Sequence, residues 1–467
     1  MLKKPPAKSK SPQKPKSLYT TWASGFFFPL HEKLKKHNSV ALLRQMEQSQ
    51  WWDKQRLQDF QLVRLRDLLA YARAHVPYYR QLFEKKGLNA DDVKSLTDLQ
   101  QFPLLTKPII RTNTDALKSD IAQHLARYNT GGSSGEPLVF FIGKKRKSHD
   151  IAAKWRATRW WGVDIGDSEI VIWGSPIELG AQDYLRNLRD RILRTKLLPA
   201  FEMSKQKLDG FLAEIRAARP KMLFGYPSAL SHIARYASEN GIGMDDLGIQ
   251  VAFVTSERLY DDQRQQISEV FNCPVANGYG GRDAGFIAHE CPEGGMHITA
   301  EDIIVEIIDA QGNPLPPGES GEIVVTHLAT HDFPFIRYRT GDMAILHDQS
   351  CSCGRGLPLI REIQGRSTDF VVAQDGTVMH GLALIYILRD LPQIEAFKIV
   401  QESLDKTRIF LVSKTALEPS LLQHIEEAFK SRLGKTVNII LEQVSQIHAE
   451  QSGKFRYVVS KVISTGV

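Results

Sequence analysis

The sequence predicts an α/β protein with a large multi-layered N-terminal domain and a small, mobile α+β C-terminal domain. A chain of 467 residues can bury a large core and should divide into at least two domains. Between residues 150 and 290, strand-like runs such as EIVIWG, KMLFGYPS and QVAFVTSE alternate with helical stretches, which is typical of a layered α/β sheet. Beyond Gly365, short strands surround a helix from Pro419 to Leu433, which Gly434 should end. The predicted divisions are a tail at 1–17, a large domain at 18–364 and a small domain at 365–467.

The first seventeen residues form a basic tail. Met1 to Ser17 holds six lysines, four prolines and no acidic residue, a composition typical of disordered chain. The tail supplies six of the seven net positive charges, so the body gives no indication of nucleic-acid binding. We expect the tail to be solvated, with contact to an anionic membrane as the alternative.

No apolar run approaches the ~20 residues that cross a bilayer. The run from Trp22 to Leu30 is far too short, and no apolar core follows the first lysines as in a secretory signal. The sequence therefore predicts a cytoplasmic protein without a transmembrane segment.

Residues 18–127 read as mostly helical. Pro77 marks a break, and Ser95 to Arg111 should form a short helix followed by irregular chain. Further along, residues 303–346 read as antiparallel strands around a GNPLPPGESG turn region. The apolar positions that approximate a helical stripe are Leu57, Phe60, Leu65, Leu68 and Leu69.

A glycine-rich loop lies between Tyr128 and Ile142, in the sequence YNTGGSSGEPLVFFI. Glycines allow successive backbone N–H groups to converge on a ligand, and such a nest with hydroxyls beside it suits a polyphosphate. The apolar run after the loop predicts that it joins two strands. A Walker phosphate loop is excluded because Glu136 and Pro137 stand where lysine and a helix are required.

Five ordered segments resemble the signatures of adenylate-forming enzymes, the superfamily of acyl- and aryl-CoA ligases, luciferases and nonribosomal adenylation domains. HVPYYR and FPLLTKPIIR also resemble the N-terminal part of phenylacetate-CoA ligase relatives, particularly those associated with capsule polysaccharide synthesis. The five segments are TGGSSGEP, Tyr279 to Asp283 (YGGRD), Tyr338 to Asp342 (YRTGD), Gly365 to Asp369 (GRSTD) and Ser452 to Arg456 (SGKFR).

The resemblance implies a role for each matching residue. Tyr279 would pack on adenine, Asp283 would help to hold the magnesium of ATP, and Asp342 would accept hydrogen bonds from both ribose hydroxyls. Lys454 would orient the carboxylate and the α-phosphate during adenylation, and Asp369 would be the hinge between domains. The ATP phosphates would be bound by Thr130, Gly131, Gly132, Ser133, Ser134 and Gly135. The other residues assigned to the nucleotide are Ser256, Glu257, Gly280, Gly281 and Arg366.

The YGGRD segment departs from the family pattern Y-G-x-[ST]-E at two positions. Arg282 stands where a hydroxyl residue is usual, and Asp283 is shorter than the usual glutamate. A dinucleotide fingerprint starting at Gly278 is excluded because Asp283 occupies its third glycine position.

The cysteines indicate a second kind of site. A cytosolic chain should not pair them as disulfides, and Cys291 with His297, and Cys351 with Cys353, would supply the four ligands of a closed tetrahedral zinc site. Related phenylacetate-CoA ligase-like proteins carry a similar arrangement, which implies structural zinc. His289 could replace His297, and Cys273 reads as structural.

The reaction that the resemblance implies is activation of a carboxylic acid by ATP to an acyl-adenylate, followed by transfer to coenzyme A. Because FVVAQDGTVMHGLALI departs from the pattern of true phenylacetate ligases, a saccharide hydroxyl or amine remains an alternative acceptor. A nucleotide-binding relative without catalysis is the other alternative, and the retained Lys454 argues against it. Trp173 and Tyr226 are candidates for the acid pocket.

Overall fold

The structure is a computed structural model that describes residues 16–130, 138–173, 184–200, 202–363, 370–389, 391–447 and 457–462. Several predicted site residues lie outside these ranges. They are Gly131, Gly132, Ser133, Ser134, Gly135, Arg366, Asp369 and Lys454.

The elements follow one another in a helical, then mixed, then α+β order. The helices are α1 Leu18–Trp22, a π-helical turn Ala23–Phe27, α2 Phe28–Leu34, α3 Ser39–Ser49, α4 Lys54–His75, α5 Pro77–Lys86, 3₁₀ turns Ala90–Asp92 and Leu96–Gln101, α6 Lys107–Thr112, α7 Lys144–Trp160, α8 Tyr184–Leu193, α9 Lys205–Ala218, α10 Pro227–Glu239, α11 Asp261–Phe271, α12 Leu382–Arg389 and α13 Pro419–Leu433. The strands are β1 Ala126–Asn129, β2 Val139–Ile142, β3 Glu169–Trp173, β4 Thr195–Pro199, β5 Glu202–Met203, β6 Met222–Gly225, β7 Val251–Thr255, β8 Val275–Gly281, β9 Gly285–Glu290, β10 Met296–Ile298, β11 Ile303–Ile308, β12 Ser320–His327, β13 Tyr338–His347, β14 Leu359–Ile363, β15 Phe370–Val372, β16 Val378–His380, β17 Ala396–Ser403, β18 Lys406–Val412, β19 Asn438–Gln443 and β20 Val458–Ser460.

One sheet of eleven strands organises the large domain, in the order β11-β12-β13-β14-β10-β9-β8-β7-β6-β3-β4. Strands β4, β3, β6, β7 and β8 are parallel, which confirms the predicted α/β layering of this region. From β8 onward the neighbouring strands are antiparallel. The antiparallel strands predicted at 303–346 therefore extend the same sheet.

The N-terminal region is helical, as predicted. The segment from Ser95 to Arg111 differs in part, because its second half contains α6 in place of irregular chain. The Thr106 hydroxyl accepts a hydrogen bond from the Ile109 N–H (3.4 Å), and a proline follows in the first turn. This N-cap with Pro108 is a sufficient local start signal for a helix.

The C-terminal part contains its own four-stranded sheet, in the order β19-β18-β17-β20. Helix α13 begins at Pro419 and ends at Leu433, as predicted, and buries Ile425, Phe429 and Leu433. A small sheet, β15-β16-β5, joins this part to the large domain, because β5 pairs Met203 with Val378. In the described parts of the chain, no helix has the length and apolar content to cross a membrane.

Candidate functional site

Several residues predicted to line the site lie at one edge of the central sheet. In a parallel sheet, the carboxyl ends of the strands share an edge, and ligands bind there. Trp173 ends β3, Tyr226 follows β6, Ser256 follows β7 and Tyr279 lies near the end of β8. The fold therefore brings residues that are up to about 100 positions apart to one rim.

Tyr279 contacts Asp342 directly, although 63 residues separate them: its hydroxyl donates a hydrogen bond to Asp342 Oδ2 (3.0 Å). Burial and the nearby Asp342 charge raise the pKa of Tyr279 well above its usual value, so the phenol remains a donor. The Asp342 N–H in turn donates to the Thr340 hydroxyl (3.1 Å). The YGGRD and YRTGD segments thus form one unit, with the aromatic ring and the carboxylate side by side.

The Asp283 carboxylate is held on both of its oxygens. Tyr338 donates its hydroxyl hydrogen to Oδ2 (2.5 Å), and the Ala284 N–H donates to Oδ1 (3.0 Å). Tyr338 is fully buried and comes from the YRTGD segment. Each carboxylate oxygen retains a second lone pair, so the position can still offer an oxygen ligand to a hard cation.

Arg146 of α7 is a site-supporting residue that sequence analysis missed. Its guanidinium is 2% exposed and donates to the Asp283 carbonyl (3.1 Å) and the Arg282 carbonyl (3.3 Å). Asp150, one turn further on, accepts from Arg146 Nε on both oxygens, at 3.1 Å each. The β8–β9 turn is thereby fastened to a helix. The surrounding KKRKSHD run gave no signal, because it has the composition of a solvated charged face.

Thr130 and Leu138 join the two ends of the glycine-rich loop by hydrogen bonds. Strands β1 and β2 pair with Asn129 opposite Val139, which confirms that the loop joins two strands. The Thr130 hydroxyl accepts from the Leu138 N–H, and the Thr130 N–H donates to the Leu138 carbonyl, both at 3.0 Å. The loop residues between them are outside the described ranges, so their role stays a prediction.

Arg282 occupies the hydroxyl position of the family motif and points toward this hairpin. Its Nη1 donates to the Asn129 carbonyl (3.5 Å). Burial lowers its pKa, while the nearby Tyr386 of α12 and Tyr128 of β1 oppose that shift. Arg282 therefore lies between the β1–β2 hairpin and the small domain.

Other predicted nucleotide positions that the structure describes lie on the same edge. Ser256 is exposed directly after β7, in a left-handed conformation (φ 74°). The Glu257 carboxylate accepts a hydrogen bond from the Ser228 hydroxyl at the start of α10. Gly280 approaches β9 so closely that a Cβ would lie 2.1 Å from the Gly285 carbonyl oxygen. A glycine is therefore required here by backbone packing, in addition to any ligand.

Four aromatic rings from β3, β6, β7 and the residue after β6 form a stack. The rings of Trp173 and Tyr226 are stacked with centroids 4.4 Å apart, and Phe224 and Phe253 continue the stack at 5.8 Å. The two residues predicted for the acid pocket therefore touch each other. Tyr226, Phe224 and Phe253 are buried and Trp173 is half-buried, so Trp173 is the member of the stack left accessible to an apolar or aromatic group.

The four predicted metal ligands form one cluster, in which one donor atom from each lies within 4.8 Å of every other. Cys291 Sγ lies 3.6 Å from Cys351 Sγ, and Cys353 Sγ lies 3.2 Å from His297 Nε2. His297 Nδ1 lies 3.3 Å from the Leu357 carbonyl oxygen, which leaves Nε2 as the metal-facing nitrogen. A Cβ on Gly295 would lie 2.6 Å from Cys351 Sγ. Three soft sulfurs and an imidazole fit the donor set of a structural zinc.

The geometry decides between the two candidate histidines. His289 pairs with His297 across β9 and β10, but its ring packs against Phe253 and Phe286. His297 is the residue brought to the thiols. Cys273 is buried apart from the cluster, and burial raises the pKa of its thiol to about 12, as expected for a structural cysteine.

A second group of potential ligands, His149, Asp150 and His327, gathers under the β8–β9 turn. Arg146 already pairs with the Asp150 carboxylate here, and a cation beside the histidines opposes metal binding. Burial and the Arg146 charge hold the pKa of His327 well below its usual value. We therefore interpret this cluster as packing that holds the β8–β9 turn and not as a metal site.

Comparisons with known proteins agree with this geometry. A family described as the CapK C-terminal domain matches residues 371–461. The chain is 25% identical over 418 residues to Protein CapK of Staphylococcus aureus, covering 86% of this chain and 89% of the relative. It is 24% identical over 448 residues to the phenylacetate-coenzyme A ligase of Thermus thermophilus, covering 87% and 96%.

A solved structure of 2-hydroxyisobutyryl-CoA ligase, in complex with 2-HIB-AMP and CoA in the thioesterification state, has the same fold. Its TM-score is 0.63 at 20% identity, with 88% of this chain and 91% of that chain covered. The chain has the adenylate-forming fold and is a homologue of CapK and the phenylacetate-coenzyme A ligases.

Proposed function

We propose that this protein is an adenylate-forming ligase that activates a carboxylic acid with ATP and transfers the acyl group to coenzyme A. The observation that carries the proposal is the contact of Tyr279 with Asp342, beside an Asp283 that Tyr338 holds. Segments that are distant in the chain meet there and bring together an aromatic ring and two carboxylates, the groups that we propose bind adenine, ribose and magnesium. The names of the relatives and the bound acyl-AMP and CoA of the structural neighbour support the same reaction.

The nucleotide would be bound by three groups of residues. The Tyr279 ring offers a face to adenine, and Asp342 retains acceptor capacity for the ribose hydroxyls. Thr130 and the glycine-rich loop after it would hold the phosphates with backbone N–H groups. Ser256, Glu257 and Arg366 complete the proposed set.

The proposed chemistry has two steps. A carboxylate oxygen of the acid attacks the α-phosphorus, and pyrophosphate leaves with the electrons of the broken P–O bond. The thiolate sulfur of coenzyme A then attacks the acyl carbon, and AMP leaves. Lys454 would offset the charge of the first step, and Asp369 would let the small domain rearrange before the second.

Two metal ions belong to the proposal. Magnesium, a hard cation, would neutralise the ATP phosphates with Asp283 among its oxygen ligands. Zinc would be held by Cys291, His297, Cys351 and Cys353, with a structural role.

The test is pyrophosphate release and CoA-thioester formation, measured separately across aromatic, fatty and hydroxy acids. At least one acid should release pyrophosphate, and Lys454→Ala should abolish that release while a chemically supplied acyl-adenylate is still converted to the thioester. Pyrophosphate release without a thioester would favour the saccharide acceptor. ATP binding without pyrophosphate release for any acid would favour a non-catalytic relative.

A further inference from the structure

The first helical segment, α1 through α2, exposes an apolar stripe to solvent. Eleven large apolar side chains are well exposed in the described part of the chain, and six of them lie between residues 18 and 34. Phe26 is 62% exposed and Leu34 is 75% exposed. The six residues are Leu18, Tyr19, Trp22, Phe26, Leu30 and Leu34.

The opposite face anchors the segment to the large domain. Thr20 is fully buried and donates its hydroxyl hydrogen to Asp167 Oδ1 (2.7 Å). Ala23 packs on Gly166 so closely that a Cβ there would lie 2.3 Å from the Ala23 Cβ. Glu32 is buried and accepts from the Ser39 hydroxyl (2.6 Å). The stripe is therefore the outward face of a fixed helix.

The π-helical turn keeps the stripe straight. Leu18, Trp22, Phe26, Leu30 and Leu34 are spaced by four residues, and in an α-helix such a row drifts by about 40° at each step. The turn Ala23–Phe27 holds more residues per turn than an α-helix, so it opposes this drift in the middle of the segment. The row then lies along one side over its whole length.

Charge is distributed at the two ends of this helix and not along it. The sequence from Leu18 to Leu30 contains no Asp, Glu, Lys or Arg. Six lysines precede it in residues 1–17, and Lys33, Lys35 and Lys36, all exposed, close it. Helix α8 lies alongside, since the Tyr19 hydroxyl donates to the Ile192 carbonyl (2.7 Å), and it adds the exposed Leu188 and Arg191.

We propose that this face binds the surface of an anionic lipid bilayer, with the apolar stripe inserted at the headgroup level and the exposed Lys33, Lys35 and Lys36 on lipid phosphates. An interfacial helix combines an apolar face carrying Trp, Phe and Leu with basic residues, and each basic residue near an anionic surface adds to its attraction. The protein–protein alternative is a second copy of this chain. The lysines at both ends of this helix oppose that alternative, because the like charges of two copies would repel each other.

The experiment is sedimentation of the full-length protein with vesicles of phosphatidylcholine alone or mixed with phosphatidylglycerol. The wild type should bind the anionic vesicles, and less well at high salt. Phe26→Glu should weaken binding about tenfold or more, because it replaces an inserted ring with a charge. The matched control is Val63→Glu on α4, since Val63 is equally exposed at 64%; it should bind as the wild type does.

Three results would overturn the proposal. One is equal binding of wild type and Phe26→Glu, which would mean that the lysine tail acts without the helix. The second is equal weakening by Phe26→Glu and Val63→Glu. The third is no vesicle binding by a wild type that sedimentation velocity shows to be a dimer, with Phe26→Glu a monomer, which would assign the face to a second copy.

Discussion

At the scale of single residues, the two departures from the family's Y-G-x-[ST]-E motif have different surroundings. The shorter Asp283 is held by Tyr338 and by the Ala284 N–H, so its carboxylate keeps a fixed position. Arg282 instead reaches the Asn129 carbonyl of the β1–β2 hairpin. A hydroxyl residue could not span that distance, and we infer that Arg282 orients the hairpin.

We expect Asp342→Asn to raise the apparent KM for ATP by about 10- to 100-fold. The amide keeps the size of the side chain but loses the charge, and hydrogen bonds to charged groups contribute about 1.5–3 kcal/mol. Steady-state pyrophosphate release at varied ATP measures the effect. Tyr279→Phe keeps the ring and loses the contacts of the hydroxyl with Asp342 and Thr340, so its effect should be smaller. An unchanged KM in a folded Asp342→Asn variant would remove the ribose role.

Site residues could be proposed from sequence only where a motif included them. Tyr279, Asp283 and Asp342 were assigned in this way, and the structure brings Tyr279 and Asp342 into contact. Arg146 could not be found, because its burial depends on two backbone carbonyls more than 130 residues away. The choice of His297 over His289 was also open, since both histidines lie within six residues of Cys291 and only the packing in the structure shows which of them lies beside the thiols.

At the scale of elements, the cysteine cluster joins two separate turns. Cys291 follows β9, whereas Cys351 and Cys353 lie in the turn before β14. A metal at this place would fix the antiparallel half of the sheet where β9, β10 and β14 meet.

Cys353→Ser should therefore lose zinc and lower the melting temperature by about 5 °C or more, since binding to the native state stabilises it. Metal analysis of protein purified without chelator should find about one zinc per chain in the wild type. Cys273→Ala is the control, because Cys273 is buried outside the cluster; it should keep the metal. Wild-type protein without zinc would contradict the assignment.

Elements with strong local signals were predicted with their bounds. Helix α13 has proline in its first turn and Gly434 after its end, and α9 matches the predicted helix near Lys205 to Ala218. The single eleven-stranded sheet was not predicted, because pairing between β10 and β14 joins residues about 60 positions apart and leaves no local pattern. The exposed stripe of α1 and α2 was not predicted either, since a run such as FFF reads equally as core.

At the scale of the whole molecule, buried neutral histidines make stability depend on pH. Burial lowers the pKa of His232 on α10 to about 4. In the unfolded chain this side chain takes up a proton near pH 6.5, so between pH 6.5 and 4 the unfolded state binds more protons and stability falls as pH falls.

Below pH 6.5 the free energy of unfolding of the wild type falls with pH. His232→Gln should make that fall shallower by about 1.4 kcal/mol per pH unit. Melting temperatures at pH 7, 6 and 5 measure it, and the variant should show a shallower decline than the wild type. His124→Gln serves as the control because His124 is exposed. Parallel curves for wild type and His232→Gln would show that this histidine is not buried in the neutral form.

The arrangement of the two domains carries the last prediction. The resemblance to adenylate-forming enzymes implies that the small domain presents one face for adenylation and another for transfer. Here β5 of the large domain pairs with β16, Met203 opposite Val378. Because β5 has only two residues, this pairing can form in one arrangement and separate in the other.

A disulfide between these strands should therefore trap one arrangement. Antiparallel partners have Cα atoms about 4.5–5.5 Å apart, which a disulfide can span, so Met203→Cys with Val378→Cys should crosslink on oxidation. The oxidised double variant should retain one half-reaction, pyrophosphate release or thioester formation from supplied acyl-adenylate, and lose the other. Reduction should restore both, and the Met203→Cys single variant should perform both with or without oxidant. If the crosslinked protein turns over both half-reactions at the rates of the reduced form, the β5–β16 contact does not change during catalysis, and the domain motion must occur about some other contact.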